Sequence, residues 1–177
     1  QALIPSKPDE RTQRWPQILP GSRAVIFTSH IANTDYDHAS IDVVVTKTGE
    51  RRTLVRNGFA GRYIDIGYLI YLNQSTLFAA PFDLDKLAVT GPATPVLDSV
   101  LNSGITGGAF SISRTGSMIF AEGAGVAPSG SVFRVDESGK SSLLHRTSGV
   151  ITPRFSPDGK RIAFAPLNPG GSDLWIK

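Results

Sequence analysis

Asp35, Tyr36, Asp37 and His38 fall within one eight-residue stretch, Asn33 to Ser40, the most polar loop of the chain. Two carboxylates and an imidazole this close are oxygen and nitrogen donors for a metal ion. The stretch lacks the glycine and the terminal glutamate of a calcium loop. His38 has no second histidine at a ligand spacing, since the other two are His30 and His145. A solvated loop that offers contacts to a partner fits these residues better than a metal site, and no cofactor is expected.

"ESGKSS", residues 137–142, ends like a phosphate-binding loop. Such a loop needs a further glycine five positions before Gly139 and a helix after it. Arg134 stands at that position, and the flanks read as strand. "KTGERR", residues 47–52, has the same character, so both are expected to be hairpin turns. A serine nucleophile would sit in a Gly-x-Ser-x-Gly elbow, which is absent. His145 falls late in the strand-like "SSLLHRT", as a half-exposed cross-strand neighbour. Acid–base hydrolysis needs two converging carboxylates, whereas Glu50, Asp85, Glu137 and Asp158 fall in or beside turns. Asp65 is the exception, expected within a strand that lines a channel. The chain is accordingly expected not to be an enzyme.

Composition narrows the classes further. The 177 residues are 40% hydrophobic and 19% charged, with a net charge of +3 and no cysteine. Disulfides, thiol catalysis and cysteine-held zinc are excluded. The basic residues are scattered, and Arg51-Arg52 and Lys160-Arg161 are pairs rather than a stripe, so no nucleic-acid partner is expected. The longest apolar stretch, Ile64 to Leu72, contains Asp65 and is far short of the ~20 residues of a membrane-spanning helix, so no direct membrane contact is expected. No leader sequence is visible. The first residue is Gln1 rather than Met, which reads as a piece of a longer protein.

The elements that position these residues are short, β-branched or aromatic, and bounded by turns, which is the pattern of strands. They include Ala24–Phe27, Ile41–Val45, Leu69–Tyr71, Ser117–Phe120, Ser131–Val135, Arg161–Phe164 and Asp173–Ile176. Four stretches repeat: "RWPQILPGSRAVIFTS", "GRYIDIGYLIYLN", "GAFSISRTGSMIFAE" and "TPRFSPDGKRIAFAP". Each is a short strand, a turn and an apolar strand with an aromatic near its end. Those aromatics, Phe27, Tyr71, Phe120 and Phe164, are spaced 44, 49 and 44 residues apart. A further strand, turn and strand follow each copy. A period of about 45 residues with four strands per unit predicts an all-β fold, a β-propeller of four-stranded antiparallel blades. A β-sandwich is the alternative, but it gives no reason for the repeat. The blades are expected at about 14–57, 60–100, 108–147 and 152–177, with residues 1–13 a tail or the last strand of a preceding blade around Ala2–Ile4. That is about four blades of material, read as an arc of a larger propeller that could self-associate through exposed blade edges. Trp15 and Trp175 are expected in packing, with Trp175 partly exposed.

"PRFSPDGKRIAF" resembles the core motif of TolB-like propellers, the WD40-like repeats of bacterial periplasmic and surface proteins. "GYLIYLNQSTLFAAPFDLDKLAVTGPATPV" resembles one subgroup, the propeller C-terminal to bacterial transmembrane serine/threonine kinases. The likeness covers roughly residues 14–177. It departs at Gly21-Ser22, and the second and third copies lack the Pro-Asp pair. No kinase motif is present. The resemblance implies an extracytoplasmic sensor or scaffold module that binds a protein or small ligand. The alternative is an accessory propeller that gates a prolyl-oligopeptidase-like hydrolase. Binding tends to reside in variable loops on a rigid frame, here 30–40, 56–62, 101–108, 123–130, 146–152 and 166–172. The candidate contacts are Asp35, Tyr36, His38, Asn57, Arg62, Asn102 and Arg146, with Asp65 in the channel.

Overall fold

A computed structural model of the chain describes residues 4–31, 35–103, 107–113, 116–123, 130–147, 150–166 and 173–177. The strands form a β-propeller of four small antiparallel blades. The chain divides into two compact units, residues 1–97 and 98–177, with two blades in each.

In the first unit, β1 (Glu10–Ile18), β2 (Ala24–Ile31), β3 (Ser40–Val45) and β4 (Arg51–Arg56) pair in chain order as blade 1. β1 begins at Glu10, ahead of the expected Arg14. The expected strand around Ala2–Ile4 lies largely outside the described residues. Blade 2 is built from β5 (Phe59–Ile64), β6 (Tyr68–Asn73) and β7 (Thr76–Asp83). Its outer edge is split: β8 (Ala88–Val89) pairs with one end of β7, and β9 (Thr94–Leu97) pairs with the other.

β2 and β3 are buried along most of their length. This explains why Ala24–Phe27 and Val43–Val45 read as unbroken apolar runs rather than alternating ones. Ile26, Ile41 and Val43 of blade 1 pack with Tyr63, Leu69 and Phe82 of blade 2 in one core. Each large apolar side chain buried there contributes about 1.5–3 kcal/mol. The approach of the two blades is close. A Cβ at Gly61 would lie 2.8 Å from Cδ1 of Ile41, so only glycine lets β5 come so near. The backbone N–H of Ala60 donates across the same seam to Thr28 Oγ1 at 3.0 Å.

In the second unit, β10 (Asn102–Ser103) pairs with β11 (Gly107–Gly108). Blade 3 is β12 (Phe110–Ile112), β13 (Met118–Glu122), β14 (Gly130–Val135) and β15 (Ser141–Thr147). Blade 4 has three described strands, β16 (Val150–Phe155), β17 (Ile162–Pro166) and β18 (Trp175–Ile176). Ala109, Ile119, Ala121, Val132, Ile162 and Phe164 form the core of this unit.

The turns follow the sequence closely. In "SPDGK", Ser156 N–H bonds to Arg161 O at 2.8 Å and Gly159 takes φ +70°, which an L side chain resists. "ESGKSS" is part of the hairpin between β14 and β15, where Asp136 Oδ1 accepts from the N–H groups of Ser138 and Lys140. Asp65 departs from expectation. β5 ends at Ile64, and Gly67 N–H closes a turn onto Ile64 O at 3.0 Å. Asp65 is therefore an exposed turn residue, not a strand residue in a channel.

Candidate functional site

Asp35 caps a short 3-10 turn, Tyr36–His38. Its Oδ1 accepts from the His38 backbone N–H at 3.2 Å and lies 2.6 Å from His38 Nδ1. The hydrogen bond from the His38 side chain holds the Asp35 carboxyl below its usual range. Tyr36 packs rather than facing open space. Its ring stacks on His30 at 4.2 Å and lies 5.1 Å from Trp15 and 6.0 Å from Phe59. Trp15 is thus part of an aromatic cluster, as expected.

Asp37 reaches blade 2. Its Oδ1 accepts the Gln74 backbone N–H at 2.6 Å, and its carbonyl accepts Asn73 Nδ2 at 3.3 Å. The same Asn73 nitrogen donates to the Asn57 carbonyl at 2.9 Å. Asn57 itself joins β4 to β5 with φ +57°, a conformation asparagine tolerates better than most residues. These bonds tie the polar loop of blade 1 to the β6–β7 turn of blade 2.

A cavity of about 460 Å³ opens at this seam. Asp35, Asp37, His38 and Asn57 form one wall, and Tyr71, Asn73, Gln74 and Phe78 form the other. Its size is that of an ordinary small-ligand pocket. The Tyr71 and Phe78 rings stack at 5.6 Å, and burial raises the Tyr71 phenol, so it remains a protonated donor.

A second cavity, of about 270 Å³, shares His38 and Asn57 with the first. Lys7, Asp9, Arg56 and Glu10 also line it. Glu10 belongs to a buried charge network. Arg51 Nη2 donates to Glu10 Oε1 at 2.6 Å and Nη1 to Oε2 at 3.1 Å, while Arg51 Nε donates to Asp42 Oδ2 at 2.7 Å. Both carboxylate side chains are 1% exposed. Burial opposes ionisation of Glu10, but hydrogen bonds from Arg51, Ser29, Gln13 and the Lys7 N–H outweigh it and lower the carboxyl to about 2. Arg51 also lies over the Phe27 ring, 4.9 Å from its centroid.

Of the residues singled out from the sequence, Asp35, His38 and Asn57 thus meet in one cavity. Arg62 donates from β5 to the Trp15 carbonyl at 2.7 Å and braces the two blades. Asn102 lies in β10 and Arg146 in β15, an exposed strand residue, both in the second unit. Parts of the expected binding loops, residues 32–34, 104–106, 124–129, 148–149 and 167–172, fall outside the described residues. Tyr71, Asn73, Gln74 and Phe78 escaped the sequence reading because they sit on a tight hairpin, not a long loop. The polar pair Asn73-Gln74, one blade on from Asp35 and Asp37, was the available signal. Among the described residues, no group of three or more His, Asp or Glu is placed to hold a metal ion. No helix of the described residues is long and apolar enough to cross a membrane.

No protein-family model matches the chain, and no curated protein matches it. Solved structures do. TolB from Acinetobacter baumannii is similar with a TM-score of 0.66 at 16% identity, over 92% of this chain and 39% of that one. A calcium-binding protein, regucalcin, from Agrobacterium tumefaciens gives 0.60 at 22% identity, over 89% of this chain and 54% of that one. A luciferin-regenerating enzyme gives 0.64 at 10% identity, over 95% and 61%. The chain spans about two-fifths to three-fifths of the length of these structures. The likeness establishes a fold shared with TolB and other propellers. It also corrects one expectation, since the same fold carries an enzyme. The absence of familiar catalytic motifs is therefore no ground for excluding catalysis.

Proposed function

We propose that the chain is a binding module of a larger bacterial extracytoplasmic protein, and that the cavity between the Asp35–His38 loop and the β6–β7 turn receives its ligand. The observation that carries this reading is the pair of hydrogen bonds from blade 2 to Asp37, which fix a polar wall before any ligand arrives. Binding energy is then not spent on ordering the loop. The resemblance of "PFDLDKLAVTGPATPV" to kinase-associated propellers supports a sensor or scaffold role. The partial coverage of the similar structures supports an arc of a larger propeller.

The test is a screen of saccharides, amines, organic acids and short peptides, read by NMR at the side-chain amides of Asn57, Asn73 and Gln74. At least one class should shift these signals, and Asn57→Ala should weaken its binding about tenfold. Ligands that bind yet perturb only residues 98–177 would place the site elsewhere.

A further inference from the structure

Resting on that reading of the cavity as a ligand site, the charges around it specify what kind of ligand fits. Among the described residues, the larger cavity presents two carboxylates, Asp35, which His38 Nδ1 meets at 2.6 Å, and Asp37, with no lysine or arginine. Among the described residues, the Asp37 side chain is bonded only to a backbone amide and has no ion-pair partner. The smaller cavity presents Lys7 and Arg56. Among the described residues, the Arg56 side chain has no hydrogen-bond or ion-pair partner. Of the acids beside it, Glu10 is ion-paired with Arg51, a cation it shares with Asp42, and Asp9 faces the two cations Lys7 and Arg56. The shared wall, His38 and Asn57, is polar, and among the described residues the Asn57 side-chain amide has no hydrogen-bond partner.

We propose that the two adjoining cavities take a short peptide with free termini, its ammonium group at Asp35 and Asp37, its carboxylate at Arg56, and a peptide group on the Asn57 amide. A neutral saccharide would leave Arg56 unused. A polyamine would meet the cations of the smaller cavity, and an organic anion would meet Asp37. A free amino acid carries both charges on one carbon, whereas a peptide lengthens by about 3.4 Å per residue and can place one charge in each cavity.

Isothermal titration calorimetry at low salt and pH 7 tests this with trialanine, N-acetyl-trialanine, trialanine amide, free alanine and maltotriose. Trialanine should bind, and blocking either end should cost at least tenfold. Arg56→Gln should abolish the penalty of C-terminal amidation, and Asp37→Asn that of N-acetylation. Both variants should keep the wild-type melting temperature, because Asn retains the oxygen that accepts the Gln74 N–H and Arg56 is exposed. Blocked peptides binding as well as free trialanine would overturn the inference. Maltotriose binding in an Asp37-dependent way, with no peptide binding, would overturn it while leaving the cavity as a ligand site. If no probe binds and no probe shifts the Asn57 amide, the inference and the site both fall.

Discussion

Gln17 in blade 1 and Ser111 in blade 3 occupy the same place in their inner strands, one residue before the last pair with the second strand. Both hold the backbone of the blade that follows. Gln17 does so twice, donating to Tyr63 O at 3.0 Å and accepting Tyr63 N–H at 2.7 Å. Ser111 accepts a single bond from Phe155 N–H at 3.4 Å. The return contacts differ in the same direction: Arg62 reaches the Trp15 carbonyl at 2.7 Å, and Arg154 reaches that of Phe110 at 3.4 Å. Blade 1 adds the Glu10–Arg51–Asp42 network. Among the described residues, the second unit has no buried ion pair. One repeat geometry is thus fastened by a paired glutamine clamp and a short arginine bond in the first unit, and by a single serine bond and a longer arginine bond in the second. The cavity lies along the first unit's seam.

Trp15 and Trp175 are the two tryptophans, one in each unit, so single-tryptophan variants can report on each separately. The largest effect is expected from Arg51→Ala, which strands two buried carboxylates without their cation. It should cost about 3–5 kcal/mol in urea unfolding followed at Trp15, with a smaller shift at Trp175. Equal shifts at both would show a single cooperative body and dissolve the contrast.

Acid should separate the units next. Glu10 falls from an ordinary value of 4.5 to about 2 in the folded chain. A depressed carboxyl contributes stability that is fully present above pH 4.5 and is lost as the pH falls towards 2. The loss is on the order of 3 kcal/mol. The Trp15 transition should weaken through that window more steeply than the Trp175 transition.

The smallest effects come from the clamps themselves. Gln17→Ala leaves a backbone N–H and a carbonyl of Tyr63 without partners and should cost about 1–3 kcal/mol. Ser111→Ala, removing one long bond, should cost under about 0.5 kcal/mol. Urea unfolding of both variants measures the difference directly, and equal losses would show that bond length does not track clamp strength here.

The blades were legible in the sequence because strand, turn and aromatic recur with a period. Phe27, Tyr71, Phe120 and Phe164 mark the second strand of each blade, and "SPDGK" is the turn its residues predict. Asp65 was misplaced because "YIDIGYLIY" continues an apolar pattern through the turn, and Gly67 was the cue to stop. Half of the cavity was legible as a polar loop, Asp35 to His38. The other half depends on which hairpin the next blade brings alongside, a fact of register rather than of local pattern. Glu10, Asp42 and Arg51 are unremarkable one by one. Only the pairing of four strands sets them together.

The split outer edge of blade 2 has a bearing on solubility. β8 and β9 each cover part of β7, and the chain between them contains Pro92 while β9 contains Pro95, neither of which has an N–H to offer. A passing strand therefore finds no unbroken row of donors and acceptors along that margin. The β15 margin of blade 3 runs seven residues without proline. Where two copies of this chain stick together strand to strand, the interrupted border of blade 2 is built to stay out of it.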